Sequence, residues 1–134
     1  MILKTVDTKA IVSINESVCI EGNNPFHCFD EGKVESALHS AFYPGAYPYH
    51  HGGVAKVAGA LAFYICQAHA FEDGNKRTAA LTAIIFLNAN GLGIKYPQHE
   101  DRDDLSSLII EVAEGKLNIE DAKNWFENHK TVLR

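Results

Sequence analysis

The chain has 134 residues, enough for one domain that buries roughly two thirds of its unfolded surface without a metal or disulfide staple. Its 46% hydrophobic and 22% charged residues are ordinary for a globular protein and leave no segment polar enough for disorder. A formal net charge of -5 argues against a general nucleic-acid binder, whose affinity rests on excess Lys and Arg, so no direct nucleic-acid binding is expected.

The apolar periodicity is helical almost throughout, with no internal repeat. The first predicted helix runs from about Thr8 to Ile20, with Ile11, Val12 and Val18 on its apolar side and Gly22 and Asn23 closing it. EGNNPFHCFDEG is loop. From Glu31 to Phe42, the positions Val34, Ala37, Leu38, Ala41 and Phe42 follow the i, i+3, i+4, i+7 spacing of an amphipathic helix. FYPGAYPYHHGG, residues 42–53, then breaks regular structure with two prolines and three glycines, and reads as a flap or short hairpin.

A long helix is predicted from about Val54 to Ala68 and another from about Asn75 to Asn90, ended by Gly91. Both are apolar on nearly every side, as expected at the centre of a bundle. A fifth helix is expected from about Asp101 to Ala113, with Leu105, Leu108, Ile109 and Val112 inward and Gly115 as its stop; the charges of HEDRDD cap and solvate it. The last starts near Asn118, an N-cap with Asp121 three residues on, and buries Ile119, Ala122, Trp125 and Phe126. Strand signals are scarce. The expected fold is an all-α single domain, residues 1–134, with about six helices.

Between the two apolar helices stands HAFEDGNKRTA, residues 69–79. A helix amino terminus offers unpaired N–H groups and partial positive charge, which favour a phosphate. Lys76 and Arg77 add cations where the macrodipole prefers anions, which makes better sense with an anion bound. Asp73 is an oxygen ligand of the kind Mg²⁺ uses when it also bridges phosphates. Gly74 lets a phosphate approach the backbone, His69 is a residue type able to accept a proton from a hydroxyl, and Phe71 turns inward to anchor the loop. A His at a helix end is ordinarily a cap and a Lys-Arg pair ordinarily a solvated face. Six such residues within nine positions instead point to phosphoryl-type transfer from a nucleotide.

Other polar clusters carry less. His50 and His51 lie beside three tyrosines without a carboxylate at ligand spacing, so the flap reading is preferred to a metal site. His27, His39, His99 and His129 form no constellation. Cys19, Cys28 and Cys66 are odd in number and irregular in spacing, which suggests free thiols in a reducing cytosol. The amino terminus lacks a secretory pattern. The longest apolar and glycine run, Val57 to Cys66, is about half of the roughly 20 residues that span a bilayer. A cytoplasmic protein without membrane contact is expected.

HAFEDGNKRTA closely resembles the signature of the Fic/Doc superfamily, specifically its Doc (death-on-curing) branch, H-x-F-x-D-[AG]-N-K-R-T-A. Upstream, DEGKVESALHSAF resembles the family's D-x-G-x-x-E-S-A-L helix. Downstream, FLNANG and VAEGKLNIEDAKNWF resemble its F-L-x-x-N-G helix end and its closing A-x-G-x-(apolar) pair. The resemblance implies a Fic/Doc-like helical bundle with a flap at about 42–53 and a signature loop at 69–77. It implies that His69 is the general base and that Asp73 holds Mg²⁺. By the same resemblance Asn75 orients the nucleotide phosphates, Arg77 pairs with them and Gly74 is the small residue of the anion loop. The catalytic set expected is thus His69, Asp73, Lys76 and Arg77, and the nucleotide-binding set Phe71, Gly74, Asn75, Lys76 and Arg77.

Two departures from the AMP-transferring Fic pattern, H-P-F-x-[DE]-G-N-G-R-x-x-R, bear on the reaction. Lys76 stands where that pattern has its second glycine, and Ala80 where it has its second arginine. In the Doc branch this goes with a reversed nucleotide that presents its γ-phosphate. The resemblance therefore implies a Ser/Thr protein kinase using ATP and Mg²⁺. It further implies a toxin of a toxin–antitoxin module that phosphorylates a translation factor, EF-Tu by analogy, and is neutralised by a small antitoxin protein. The alternatives are a Fic-type protein AMP or nucleotidyl transferase and a catalytically silent domain that binds a regulator. Ser17-x-x-x-Glu21-Gly22 also matches the inhibitory [ST]-x-x-x-E-[GN] motif of Fic enzymes, but falls at the end of the ordinary first helix and is read as coincidence.

Overall fold

The structure, a computed structural model, describes residues 4–42, 51–95 and 104–133. Its centre is α3 (Val54–Ala68), which touches α2 (Glu31–Phe42), α4 (Asn75–Ala89), α5 (Leu105–Ala113) and α6 (Ile119–His129), while α1 (Thr8–Glu21) packs on α4 and α2. The reason is compositional. Ala55, Ala58, Gly59, Ala60 and Ala62 present almost no side-chain bulk, so neighbouring helices approach α3 closely, and all five are buried. A Cβ on Gly59 would stand 2.6 Å from the Ala122 carbonyl oxygen and from the Lys123 Cα, so α6 lies directly on the α3 backbone.

Around this small-residue spine the larger apolar side chains fill the core: Ile11, Val57, Leu61, Phe86, Leu87, Val112 and Phe126 are all fully buried. Phe42 and Phe86 meet at 5.6 Å between ring centroids, within the favourable range for tilted aromatic pairs. Helices make up 67% of the described residues, which settles the all-α class.

The helix ends obey local chemistry. Asp7 and Asp104 cap α1 and α5, accepting from the Ala10 and Ser107 N–H groups at 2.8 Å. Asn118 and Asp121 form a reciprocal capping box on α6, as their spacing predicts. Gly91 and Gly115 leave α4 and α5 with φ +81° and +77°, a conformation that suits glycine. The Ser107 backbone N–H, and after it the Ser107 hydroxyl, donate to the Asp104 carboxylate and hold it below the usual range.

Four expectations need correction or limits. The scarcity of strand signals hides a two-stranded antiparallel ribbon, β1 (Leu92–Ile94) with β2 (Lys130–Val132), in which Gly93 faces Thr131. Three-residue strands are too short to show a period of two, and their pairing is long-range. α4 is apolar on its outer face as well but is not enclosed there: Leu81 and Ile85 are 38% and 43% exposed, so of the two helices α3 alone is central. The fifth helix begins at Leu105, because Asp104 takes the N-cap; the proposed start at Asp101 and most of HEDRDD lie outside the described residues. So does the flap between 43 and 50, with His50. His51 is buried and donates from Nε2 to the Ser40 carbonyl at 3.0 Å. Among the described residues no helix is long and apolar enough to cross a membrane.

Candidate active site

α3 ends where the chain turns left-handed at His69, with φ 48° and ψ 44°. A side chain other than glycine pays roughly 1–2 kcal/mol for that conformation. His69 accepts this strain and is exposed, while Ala70 and Phe71 directly after it are buried at 2% exposure each. Phe71 therefore does anchor the loop, and it leaves His69 on the surface.

The loop is held from three sides. The segment 27–29 runs antiparallel to it: Phe29 N–H donates to the Ala70 carbonyl at 2.8 Å and Glu72 N–H to the His27 carbonyl at 2.9 Å. The Asn75 amide closes the loop on itself, donating from Nδ2 to the Phe71 carbonyl at 2.7 Å and accepting the Phe71 N–H at 3.2 Å. From beneath, Asn15 of α1 donates to the Asp73 carbonyl at 2.8 Å and to Thr78 Oγ1 at 3.0 Å.

α4 then starts without a cap. Gly74, at φ +75°, has no side chain to offer. Among the described residues no acceptor takes the N–H groups of Gly74, Asn75, Lys76 or Arg77. Four unmet donors and the positive end of a 15-residue helix are joined by two exposed cations, Lys76 and Arg77, in the same turn. The local charge balance is unfavourable until an anion arrives. Arg77 meanwhile holds Glu21 at 3.3 Å, with the two side chains 51% and 76% exposed. A pair so exposed is worth about 0–1 kcal/mol and yields readily to a phosphate. The Ser17–Gly22 motif, expected to be a coincidence of the first helix, thus places its glutamate on Arg77.

Asp73 is half-buried, and its carboxylate has no hydrogen-bond or ion-pair partner among the described residues. No cluster of three or more His, Cys, Asp or Glu able to hold a metal occurs among those residues. A single free carboxylate beside an anion nest suits Mg²⁺ that takes its other ligands from phosphates and water, and does not suit a resident structural metal. Cysteine chemistry is disfavoured: burial pushes the Cys19 and Cys66 thiols up, so both stay protonated.

Beside the first turn of α4 a cleft of about 190 Å³ is lined by Lys76, Arg77, Ala80, Ser106, Ile109 and Ile110. The short Ala80 helps leave it open. A second cleft of about 410 Å³ lies between α2 and α3 and includes Lys33, Ser36, Tyr64, Gln67 and Ala68, the residue before His69.

The structure thus brings His69, Phe71, Asp73, Gly74, Asn75, Lys76 and Arg77 into one loop and helix start. It assigns Asn75's side chain to shaping the loop, with its second Nδ2 hydrogen as the one donor it has left for an anion. Sequence reasoning passes over Asn15, Thr78 and the 27–29 segment. Asn15 had a signal: it is a polar residue four positions after Ile11 and three before Val18, on the apolar face of α1. No curated protein matches the chain. Residues 30–87, from the last residue before α2 to near the end of α4 and including the segment that carries this site, match the model of the Fic/DOC family.

Proposed function

We propose that this chain is a Doc-type protein kinase that transfers the γ-phosphate of ATP to a hydroxyl of a protein target. The observation that carries the reading is the uncapped start of α4, with its free N–H groups and the Lys76–Arg77 pair, next to a strained and exposed His69. Enzymes of the Fic/Doc family transfer phosphoryl or nucleotidyl groups, and the nest accounts for a nucleotide's phosphates in either case.

In the proposed reaction His69 accepts the proton of the target hydroxyl. The hydroxyl oxygen forms a bond to the γ-phosphorus while the bond between that phosphorus and the β,γ-bridging oxygen breaks, and ADP leaves with the electron pair. The N–H groups of residues 74–77, with Lys76 and Arg77, stabilise negative charge on the phosphate oxygens. Asp73 would hold Mg²⁺, which when bound neutralises phosphate charge. Two residues favour γ-phosphate over AMP transfer: Lys76 places a cation in the nest where the AMP-transferring pattern has glycine, and Ala80 provides no second arginine to clamp the polyphosphate. On the same resemblance, the target is a translation factor such as EF-Tu, the setting a toxin–antitoxin module in the cytoplasm, and the natural inhibitor a small antitoxin protein.

The test is label transfer to a target-containing extract from γ-labelled and α-labelled ATP. Kinase activity passes on the γ label alone. Transfer of the α label instead would assign AMP transfer. A His69→Ala protein that remained fully toxic to growing cells would leave only the regulator-binding alternative.

A further inference from the structure

Asn15 is a fully buried polar residue beneath this site, and neither the signature nor the proposed reaction gives it a role. Its Nδ2 reaches two points on either side of Gly74, the Asp73 carbonyl at 2.8 Å and Thr78 Oγ1 at 3.0 Å, and the Cys19 thiol lies 3.7 Å from both its Oδ1 and the Asp73 carbonyl. The amide has no spare capacity on this face. It joins the last loop carbonyl to the first turn of α4.

A trans peptide is planar, so its N–H points opposite to its C=O. The Asp73 carbonyl points inward to α1, and the Gly74 N–H of the same peptide therefore points away from α1. Among the described residues nothing accepts it. The packing leaves this arrangement little latitude, because a Cβ on Gly74 would lie 3.0 Å from Val18 Cγ1 and 3.1 Å from Asn15 Nδ2. Without the Asn15 donor, the inward carbonyl would keep only the weak Cys19 thiol contact at 3.7 Å. Turning the peptide over would relieve that and would present an oxygen, in place of an N–H, to an incoming anion.

We infer that Asn15 is a positioning residue: it fixes the Asp73–Gly74 peptide with its N–H outward and so keeps the anion nest in its binding form. The inference rests on the phosphate reading above. Asn15→Asp preserves the shape and, measured at alkaline pH where the buried carboxyl is ionised, replaces the donor by an acceptor facing the carbonyl. The peptide should be turned in a crystal structure of that variant, and Mg-ATP affinity by calorimetry should fall about tenfold or more, as for loss of a hydrogen bond to a charged group. Thr78→Val removes the other partner of the same amide. It should lower thermal stability comparably while holding Mg-ATP affinity within about twofold, because the Asp73 carbonyl keeps its donor.

An Asn15→Asp protein with the peptide unturned and full affinity would overturn the inference. So would equal losses of affinity in Asn15→Asp and Thr78→Val, which would make the role merely structural. Should Asn15→Asp not fold, the Gly74 amide resonance of the unsubstituted protein decides: a large shift on adding Mg-ATP is expected, and an unmoved resonance in a protein that binds Mg-ATP refutes the claim. If the unsubstituted protein binds no Mg-ATP, the nucleotide reading fails by itself. The peptide orientation in Asn15→Asp, or in the smaller Asn15→Ser, then still decides whether Asn15 sets it.

Discussion

Replacing Gly59 by Ala tests the packing that mounts the site on α3. In an isolated helix the change would help by about 1 kcal/mol, since glycine is a poor helix former. Here the new methyl would meet the Ala122 carbonyl oxygen and the Lys123 Cα at 2.6 Å each, and the Ala122 carbonyl carbon at 2.8 Å. Favourable heavy-atom contacts lie near 3.5–4.0 Å, so α6 must retreat by roughly 1 Å. These are backbone atoms, and no rotamer change can absorb the clash. The retreat also opens a gap beside Ala122 and Phe126, both buried, and a gap of that size forfeits about a quarter to a half of each contact's attraction. Overpacking of this kind costs about 1–3 kcal/mol. With the gap added and the propensity gain set against it, the expected net loss is about 1–2 kcal/mol, or roughly 4–10 °C in Tm for a domain of this size. Thermal and urea unfolding followed by circular dichroism at 222 nm would measure it. Gly93→Ala is the control: its Cβ meets the tip of the Leu133 side chain at 2.9 Å, and Leu133 is 47% exposed and free to move, so little change is expected. A Gly59→Ala protein with Tm equal to or above the parent would refute the close-packed spine.

Four further outcomes are expected. His69→Gly should raise stability by about 1 kcal/mol by relieving the left-handed strain, and abolish group transfer; unfolding and label-transfer assays read the two effects separately. Thr82 Oγ1 is buried with no hydrogen-bond partner among the described residues, so Thr82→Val should be neutral or up to about 1 kcal/mol stabilising, and a clear loss in urea unfolding would contradict the assignment. Asp104 has a carboxyl held below its ordinary pKa when folded, so its cap stabilises the fold above the unfolded carboxyl pKa and is lost as the pH falls through the depressed folded value. Acid titration should therefore destabilise the parent more than Asp104→Asn, whose cap does not titrate, and parallel curves would contradict this. Glu21→Gln frees Arg77 from an exposed pair and should tighten Mg-ATP binding by no more than about fivefold, the limit set by a pair worth 0–1 kcal/mol; weaker binding would show that Glu21 assists the nucleotide.

Much of the architecture was legible in the sequence because it rests on local rules. The 3.6-residue spacing in 31–42, the apolar run of α3, the capping pair Asn118–Asp121 and the glycines at 91 and 115 each act within a turn or two of chain. The motif residues from His69 to Arg77 were equally legible, since a helix end, a glycine and two cations in one stretch announce an anion site wherever the chain goes. What the tertiary structure alone decided is how that site is held. The ribbon of 92–94 with 130–132, the pairing of 27–29 with the loop and the reach of Glu21 to Arg77 join residues far apart in the chain, and no local pattern encodes such partners. Asn15 makes the point most directly. In sequence it is an imperfection in an apolar stripe; folded, it is the donor beneath Asp73, because a buried amide must find its partners wherever the packing brings them.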